Sequence, residues 1–320
     1  MSKDNRENQI VEKDYVMMEK FRGDWLPVKG LRARPEEIAE LNRDTFRTKV
    51  KYEENGSIVE IIEKPLWQFT KKFVNELDAD IVYIPHNDKV TFPCKHKNKK
   101  IFYYMQMVFP WMFQVDSEGW CAGASVWPIK PKEYFDEKAF NNLKQYNLTG
   151  KSKFSQPRIK QYQFGKDFIF FPCQIPHDLT IKLHSQISVE KALIQTIKIS
   201  KYLKIPLIVK PHPLNPDSMR PLFEIVKKHK NEEIYWIDDI NINELLNATK
   251  AVFTINSGVG MEAILYNKPV FTFGKAEYAA VSIFIDRINI DWVNREKYIK
   301  DYPAFIDAYV SNMVEVPHRY

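Results

Sequence analysis

A turn rich in glycine and small polar residues separates a β-branched run at residues 251–255 from an apolar stretch at 261–266. The turn reads Asn256-Ser257-Gly258-Val259-Gly260, and Glu262 follows in the first turn of the expected helix. Backbone N–H groups at a helix N-terminus favour anions, and glycine lets a phosphate approach the backbone. Glu262 can accept hydrogen bonds from ribose hydroxyls. The turn therefore predicts a nucleotide-phosphate site, although similar turns between strand and helix also occur without a ligand.

A second candidate lies at the end of another apolar run, residues 205–209, which is followed by Lys210-Pro211-His212-Pro213. The two prolines stiffen the backbone around His212. At the carboxyl end of a strand, His212 can donate to a phosphate or to a sugar carboxylate, and Lys210 adds a cation. A lone histidine is more often structural. Its combination with the glycine turn two βα units later predicts one shared binding rim.

The elements that must position these residues follow a repeating βα pattern. Short β-branched runs bounded by turn residues are typical of buried parallel strands. Helical stretches such as residues 188–203 fill the gaps between the runs, so the second half of the chain predicts repeated βα units. Ligands of open α/β sheets bind beyond the carboxyl ends of the strands. We therefore expect the site where His212, Asn256 and Gly274 emerge.

Charge and cysteine usage narrow the classes of function. The net charge of +6 suits anionic small substrates, an anionic membrane or nucleic acid. No clustered basic and aromatic motif of a known nucleic-acid module occurs, so we do not expect nucleic acid as a partner. Three widely spaced cysteines predict reduced thiols, and no signal peptide or apolar run of ~20 residues is seen. These features predict a cytoplasmic protein, with peripheral contact at the inner face of the cytoplasmic membrane as an open alternative.

Several motifs, taken in order over residues 165–280, resemble the capsule polysaccharide biosynthesis family. They are Gln174-x-x-x-Asp178-x-Thr180, Lys210-Pro211-His212-Pro213, Asn256-Ser257-Gly258-Val259-Gly260-Met261-Glu262-Ala263, Lys268-Pro269-Val270 and Phe273-Gly274. Characterised members of the family resemble retaining β-Kdo glycosyltransferases, which use CMP-Kdo and adopt a GT-B fold. The resemblance implies an α/β, GT-B-like fold with two Rossmann-like domains facing across a cleft.

The same resemblance assigns roles to acidic residues. It implies that Asp178 is the nucleophile and that Gln174 supports it. A retaining transfer needs a carboxylate close to the anomeric carbon and a second group for proton transfer. Asp116 or Glu118 can supply the second group, since both lie in an acidic-Gly-aromatic turn that resembles the family loosely. The alternative for Asp178 is a helix cap or a turn residue.

Domains and substrates follow from the same resemblance and from a polar, lysine-rich stretch that suggests a boundary near Gly150 to Gly165. We expect an N-terminal acceptor-side α/β domain at 1–160 and a nucleotide-sugar-binding Rossmann-like domain at 161–284. A helical segment at 285–320 is expected to pack back on the N-terminal domain. The acceptor is expected to be a glycan or a glycolipid.

The leading expectation is transfer of Kdo or a related ulosonic acid from a CMP-activated donor in surface polysaccharide synthesis. No metal or other cofactor is expected, because CMP is a monophosphate leaving group that basic or amide donors can stabilise. Two alternatives stay open. One is another GT-B-type transferase, such as a polysialyl- or glycerol-phosphate transferase, and the other is a non-catalytic glycan- or nucleotide-binding module.

Overall fold

The computed structural model of the protein consists of two compact units. The described residues are the backbone of the strands at 15–19, 25–29, 49–54, 57–62 and 81–85, followed by residues 100–109, 111–149, 154–214, 216–229, 232–286 and 290–315. Within these ranges, no helix is both long and apolar enough to cross a membrane.

The first unit contains an antiparallel ribbon and a mixed six-stranded sheet. The ribbon pairs β1 (Tyr15–Glu19) with β2 (Trp25–Lys29). The strands of the sheet are β3 (Lys49–Glu54), β4 (Ser57–Ile62), β5 (Ile81–Pro85), β6 (Lys100–Gln106), β7 (Met112–Asp116) and β14 (Val314–Glu315). Their order is β14-β7-β6-β5-β4-β3, and β4, β5 and β6 run parallel. The turn that carries Glu118 leaves this sheet at the end of β7.

The second unit, Val126–Ser311, contains a sheet of six parallel strands. They are β8 (Ile169–Pro172), β9 (Leu207–Lys210), β10 (Ile234–Trp236), β11 (Ala251–Thr254), β12 (Val270–Thr272) and β13 (Ile283–Phe284). Their order is β10-β9-β8-β11-β12-β13. Strand β8, the first of these in the chain, therefore lies in the middle of the sheet. Strands β9 and β10 follow on one side of it and β11, β12 and β13 on the other, so the order of the strands reverses between β8 and β11. Sheets of this order bind ligands at the reversal.

Helices cover this parallel sheet. They are α1 (Lys138–Leu148), α2 (Leu179–His184), α3 (Val189–Leu203), α4 (Pro216–Lys227), α5 (Ile242–Ala248), α6 (Gly258–Leu265) and α7 (Tyr302–Ser311). All residues of β8, β9 and β11 are buried, as expected for strands with helices on both faces. The predicted α/β fold with a parallel sheet is thus confirmed.

Helix α3 shows how the sequence produces these elements. The Ser188 hydroxyl accepts a hydrogen bond from the backbone N–H of Lys191 at 3.3 Å and so caps the first turn. Val189, Leu193 and Ile197 recur at helical spacing and are at most 1% exposed. The helix ends where Lys204 adopts a left-handed conformation with φ of 54°.

The boundary between the units lies earlier than the sequence suggested. Helix α1 packs against α6 and α7, with Phe140 and Leu143 buried, so its lysines and asparagines form the outer face of the second unit and not a linker. The Trp127 indole N–H donates to the carbonyl of Ala276 at 2.8 Å and ties the start of this unit to the region after β12. At the other end, the unit includes residues up to Ser311, and the first unit is joined again only from Asn312. The predicted segment at 285–320 is therefore divided between the two.

Candidate active site

The loops at the carboxyl ends of three neighbouring strands carry most of the predicted site residues. Asp178 follows β8, Lys210 and His212 lie at the end of β9, and the turn at 256–262 follows β11. Because β8 lies between β9 and β11, the Asp178 loop lies between the other two. Neighbouring strands are about 4.8 Å apart, so β9 and β11 are separated by roughly 10 Å. The structure therefore brings these three loops to one edge, at the reversal of the sheet.

Two buried amides join the loops on either side of this reversal. The Gln174 side-chain oxygen accepts hydrogen bonds from the backbone N–H groups of Ile255 at 3.2 Å and Asn256 at 3.1 Å. It also accepts from the Thr254 hydroxyl at 3.1 Å, and the Gln174 amide nitrogen donates to Asn256 Oδ1 at 3.0 Å. Gln174 and Asn256 are each 7% exposed. Gln174 therefore fixes the backbone after β11.

Asn256 extends this connection to two further segments. Its amide nitrogen donates to the carbonyl of Thr180 in α2 at 2.8 Å and to the carbonyl of Lys275 after β12 at 3.3 Å. The side chain thus joins the loops that follow β8, β11 and β12. That both amides bind the nucleotide sugar stays a prediction. Their bonds within the protein show that both side chains also hold the loops of this edge in position.

The glycine turn begins helix α6, but its glycines differ in their surroundings. Ser257 caps the helix, because its hydroxyl accepts from the Val259 N–H at 3.2 Å. A Cβ added to Gly260 would lie 2.2 Å from the Tyr278 hydroxyl oxygen, so the ring of Tyr278 fills that space. Glu262 is buried at 4% exposure. Ser257, Gly258 and Val259, which are partly exposed, are therefore the members of the turn open to a ligand.

His212 and Lys210 also differ in how they face this edge. The His212 Nδ1 atom accepts from the Leu214 N–H at 3.1 Å, so in the neutral ring Nε2 carries the proton and can donate. The Lys210 ammonium group is buried and donates to the Asp238 carbonyl at 2.9 Å. Burial lowers the pKa of Lys210, and the carboxylates of Asp238 and Asp239 oppose that shift. Lys210 therefore binds the loop after β10.

Asp178 is the N-cap of α2, which is the alternative that the sequence left open. Its Oδ1 atom accepts from the Thr180 backbone N–H at 2.8 Å and from the Thr180 hydroxyl at 2.7 Å. The side chain is partly exposed, and its Oδ2 atom makes no hydrogen bond with the part of the chain that the structure describes. One oxygen thus holds the helix start, and the other is available for a ligand.

The two acidic candidates of the first unit have different environments. Asp116 is 7% exposed, and its carboxylate accepts from the backbone N–H groups of Glu118 at 2.8 Å, Gly119 at 3.2 Å and Ser125 at 3.0 Å. The Ser125 hydroxyl donates to it as well, at 2.6 Å. Asp116 therefore closes the loop from residue 117 to 125. Glu118, near the start of that loop, is exposed.

Lys275 is a further cation at this edge, and the sequence did not predict it. Lys275 follows β12 and is exposed, and its ammonium group lies 5.4 Å from the ring centre of Trp127. Its carbonyl is one of the two that bind Asn256. The signal in the sequence was a lysine directly after Phe273-Gly274 at a strand end. The backbone of Lys275 thus contacts the loop after β11, and its ammonium group lies over Trp127.

No group of three or more histidine, cysteine, aspartate or glutamate side chains in the described ranges could hold a metal ion. The thiol of Cys173, next to Gln174, is buried, and burial raises its pKa. Cys173 is therefore a packing residue at this edge and not a reactive thiolate.

Sequence comparisons match this chain to one family. The family described as "Capsule polysaccharide biosynthesis protein" matches residues 128–317, which is more than half of the chain. The capsule polysaccharide export protein KpsS of Escherichia coli is 34% identical over 113 residues, 33% of this chain and 29% of that protein. Protein FixF of Sinorhizobium fredii is 27% identical over 177 residues, 53% of this chain and 41% of that protein. The matches therefore span less than half the length of these curated relatives.

Two solved structures from Thermosulfurimonas dismutans are similar to this chain. The KpsC β-Kdo 2,4 transferase has a TM-score of 0.49 and 14% sequence identity, covering 72% of this chain and 79% of that one. The KpsC β-Kdo 2,7 transferase has a TM-score of 0.43 and 17% identity, covering 69% of this chain and 75% of that one.

Proposed function

We propose that this chain, which belongs to the capsule polysaccharide biosynthesis protein family, is a glycosyltransferase of the GT-B-like fold class. The observation that carries the proposal is the edge of the parallel sheet between β8 and β11. There the order of the strands reverses, and nucleotides bind at such reversals. Gln174 and Asn256 hold the flanking loops in place. Such a rigid edge suits an enzyme that must orient an activated sugar.

The proposed donor is Kdo or a related ulosonic acid activated by CMP. Such a donor carries two anionic groups, a phosphate and a sugar carboxylate. His212 supplies an Nε2 proton on one side of the Asp178 loop, and the N-terminus of α6 lies on the other. Lys275, whose carbonyl binds Asn256, adds an ammonium group that lies over the Trp127 ring. These groups can stabilise CMP as it leaves, so a metal is not required by the chemistry.

The proposed reaction retains the configuration of the sugar. Asp178 Oδ2 attacks the anomeric carbon, the bond from that carbon to the phosphate oxygen breaks, and CMP takes the electron pair. The acceptor hydroxyl then displaces the aspartate and gives its proton to a second carboxylate. Of the two candidates for that base, Glu118 is favoured, because the Asp116 oxygens are occupied by its own loop. The proposed acceptor is a glycan or a glycolipid.

A specific observation favours a second candidate function, a nucleotide- or glycan-binding module without catalysis. Asp178 Oδ1 caps α2, which explains an aspartate at this position without any chemistry. Other GT-B-type transferases, such as polysialyl- or glycerol-phosphate transferases, stay open as well. Transfer from CMP-Kdo separates these functions: a binding module gives none, and a different transferase requires a different donor.

Nucleotide binding gives the first experimental test. Calorimetric titration with CMP, CDP and UDP should show the tightest binding for CMP. A ligand at about a hundred times its Kd should raise the free energy of unfolding by roughly 2.7 kcal/mol. His212→Asn keeps a side-chain acceptor for the Leu214 N–H but removes the donor at the Nε2 position, and it should weaken CMP binding. His229→Asn, on a surface after α4, is the control.

Unchanged CMP affinity in the His212 variant would remove His212 from the proposed site. Equal binding of all three nucleotides would remove the preference for CMP. Lys275→Gln provides a second probe on the other side of the Asp178 loop, where loss of the ammonium group should also weaken binding.

A cytoplasmic location with contact at an anionic membrane surface is also proposed, for the case of a glycolipid acceptor. The net charge of +6 supports it, because basic residues are attracted to anionic lipid headgroups. Flotation with anionic liposomes at low and high salt checks this. Binding only at low salt is expected, and its absence at low salt would dispose of the membrane contact.

A further inference from the structure

A pocket lies at the opposite edge of the parallel sheet from the Asp178 loop. It has a volume of about 340 Å³ and is formed by the ends of α1, α5 and α6 together with the chain at 159–162. Helix α5 ends at Ala248, just before β11, and α6 ends beside Tyr266, just before β12. The pocket therefore lies at the amino ends of these strands, away from the edge that carries Asp178.

Hydrogen bonds hold the chain at residues 156–164 against α5 and build one wall of this pocket. The Glu244 carboxylate accepts from the backbone N–H groups of Lys160 at 3.2 Å and Tyr162 at 2.7 Å. The Asn241 amide donates to the carbonyl of Pro157 at 2.7 Å. Between these contacts, the backbone of Gln161 adopts φ of 53°, a conformation that residues other than glycine rarely take. The wall is therefore fixed by specific contacts.

An aromatic ring on this wall is exposed and yet held in place. Tyr162 is 54% exposed and lines the pocket. Its ring lies 5.2 Å from that of Phe164, which in turn lies 4.8 Å from the ring of buried Phe168. Such a ladder of rings keeps Tyr162 oriented at little further entropic cost. Two other apolar side chains of the pocket, Leu148 and Ile159, are also more than 40% exposed.

The polar side of the pocket consists of amides, a hydroxyl and one carboxylate. The side-chain amides of Gln161 and Asn247 are exposed and make no hydrogen bond with any residue that the structure describes. On the floor, the Tyr266 hydroxyl donates to Asn243 Oδ1 at 3.0 Å, and burial raises the pKa of Tyr266. Among the described residues that line the pocket there is no lysine, arginine or histidine, whereas Glu244 brings a negative charge. The lining therefore suits a neutral ligand with many hydroxyl groups and disfavours an anion.

We propose that this pocket binds a neutral saccharide unit. The Tyr162 ring would cover the apolar face of the sugar, and the amides of Gln161 and Asn247 would bind its hydroxyls. A volume of about 340 Å³ lies in the range of small-ligand pockets and accommodates one or two sugar rings. This site is separate from the edge proposed for the anionic donor, and its occupation does not depend on catalysis there.

Saturation-transfer NMR on the full chain tests the proposal. The probes are methyl glycosides of glucose, galactose, N-acetylglucosamine and N-acetylgalactosamine, with glucuronic acid and cytidine as comparisons. At least one neutral glycoside is expected to bind, while glucuronic acid binds more weakly. Tyr162→Ala should raise the Kd of that glycoside about fivefold or more. Tyr202→Ala, which removes an exposed tyrosine outside the pocket, should leave the Kd unchanged.

Asn247→Ala, on the exposed surface of α5, is a second variant that tests the pocket even if Tyr162→Ala does not fold. Its Kd for the glycoside should rise as well, while its melting temperature should not change. Three outcomes would overturn the proposal: no glycoside binds, the pocket variants bind as tightly as the wild type, or glucuronic acid or cytidine binds better than every neutral sugar. CMP affinity is measured in the same variants and should not change, which separates this site from the donor site.

Discussion

The side chain of Gln174 binds Asn256 twice, accepting from its backbone N–H at 3.1 Å and donating to its Oδ1 atom at 3.0 Å. The two residues are 82 positions apart in sequence and lie on the two sides of the sheet reversal. Because Asn256 also binds Thr180 and Lys275, this one pair sets the relative positions of three loops. The shape of the proposed donor site therefore depends on residues that need not touch the donor.

Replacing Gln174 tests this dependence. Gln174→Met keeps most of the volume but leaves the buried N–H groups of Ile255 and Asn256 without this acceptor. Since an unsatisfied buried group costs about 1–3 kcal/mol, the free energy of unfolding should fall by roughly 3 kcal/mol in urea denaturation. Gln195→Met, on a half-exposed side of α3, is the matched control and should change little. An equal loss in both variants would show that the positioning role is absent.

Gly260 separates two explanations for the glycine turn. An added Cβ would meet the Tyr278 ring, so Gly260→Ala should cost about 1–3 kcal/mol by overpacking. Gly165→Ala, where no atom lies within 4 Å of the added Cβ, is the control. In combination with Tyr278→Leu, the cost of Gly260→Ala should shrink, and thermal denaturation of the double-mutant cycle measures that coupling. Full stability with loss of CMP binding would favour a phosphate contact instead.

Substitutions of Asp116 and Glu118 should have opposite effects: the first should lower stability, and the second should slow transfer. Asp116→Asn places an N–H₂ group among the donors of Glu118, Gly119 and Ser125, and it should destabilise the protein by about 1–3 kcal/mol. Glu118→Gln should leave stability within about 0.5 kcal/mol, because the side chain is exposed. If Glu118 is the base, transfer from CMP-Kdo should slow by roughly 10²–10⁴-fold. If Asp116→Asn is instead stable and loses more transfer activity than Glu118→Gln, then Asp116 is the base and Glu118 is not.

The buried ammonium group of Lys210 predicts a dependence of stability on pH. Burial lowers its pKa from the ordinary value of 10.5, so between the folded pKa and 10.5 the unfolded chain binds more protons than the folded chain. The free energy of unfolding therefore rises with pH in that window. The difference between wild type and Lys210→Met isolates this effect. It should grow in favour of the wild type as urea denaturation is moved from about pH 7 to about pH 10, and a decrease would contradict the argument.

The sequence was sufficient to predict the strands and the edge on which the loops meet. The runs that became β8, β9 and β11 are apolar on both faces, and turn residues follow each of them, so a parallel sheet was the consistent interpretation. The order of the strands places the chain reversal where the polar motifs lie. The local sequence was enough to predict these strands, because a strand that is buried on both faces is apolar at nearly every position.

The roles of individual polar residues could not be read in the same way. Gln174, Asn256 and Lys210 are predicted to bind the donor, and the sequence did not indicate that their side chains also bind neighbouring loops. A polar residue after a strand can face a ligand or another loop, and the choice depends on contacts between residues far apart in sequence. The domain boundary was misplaced for a similar reason, since the buried face of α1 is provided by two helices more than 100 residues later in the chain.

Asp178 gives the decisive test, because its two oxygens have different roles. Asparagine is as good an N-cap as aspartate, so Asp178→Asn should keep the bonds to Thr180 and change stability by only a few tenths of a kcal/mol. It nevertheless removes the charged Oδ2 atom, so a nucleophilic role predicts loss of turnover by several orders of magnitude with nearly unchanged CMP affinity. Asp178→Ala should lose about 1 kcal/mol of stability as well. Transfer from CMP-Kdo is measured together with mass spectrometry of the intact protein, in which a trapped sugar adduct is expected only with aspartate. Near-native transfer by Asp178→Asn would leave Asp178 as the cap of α2 alone and move the search for the nucleophile to Glu118 and Asp116.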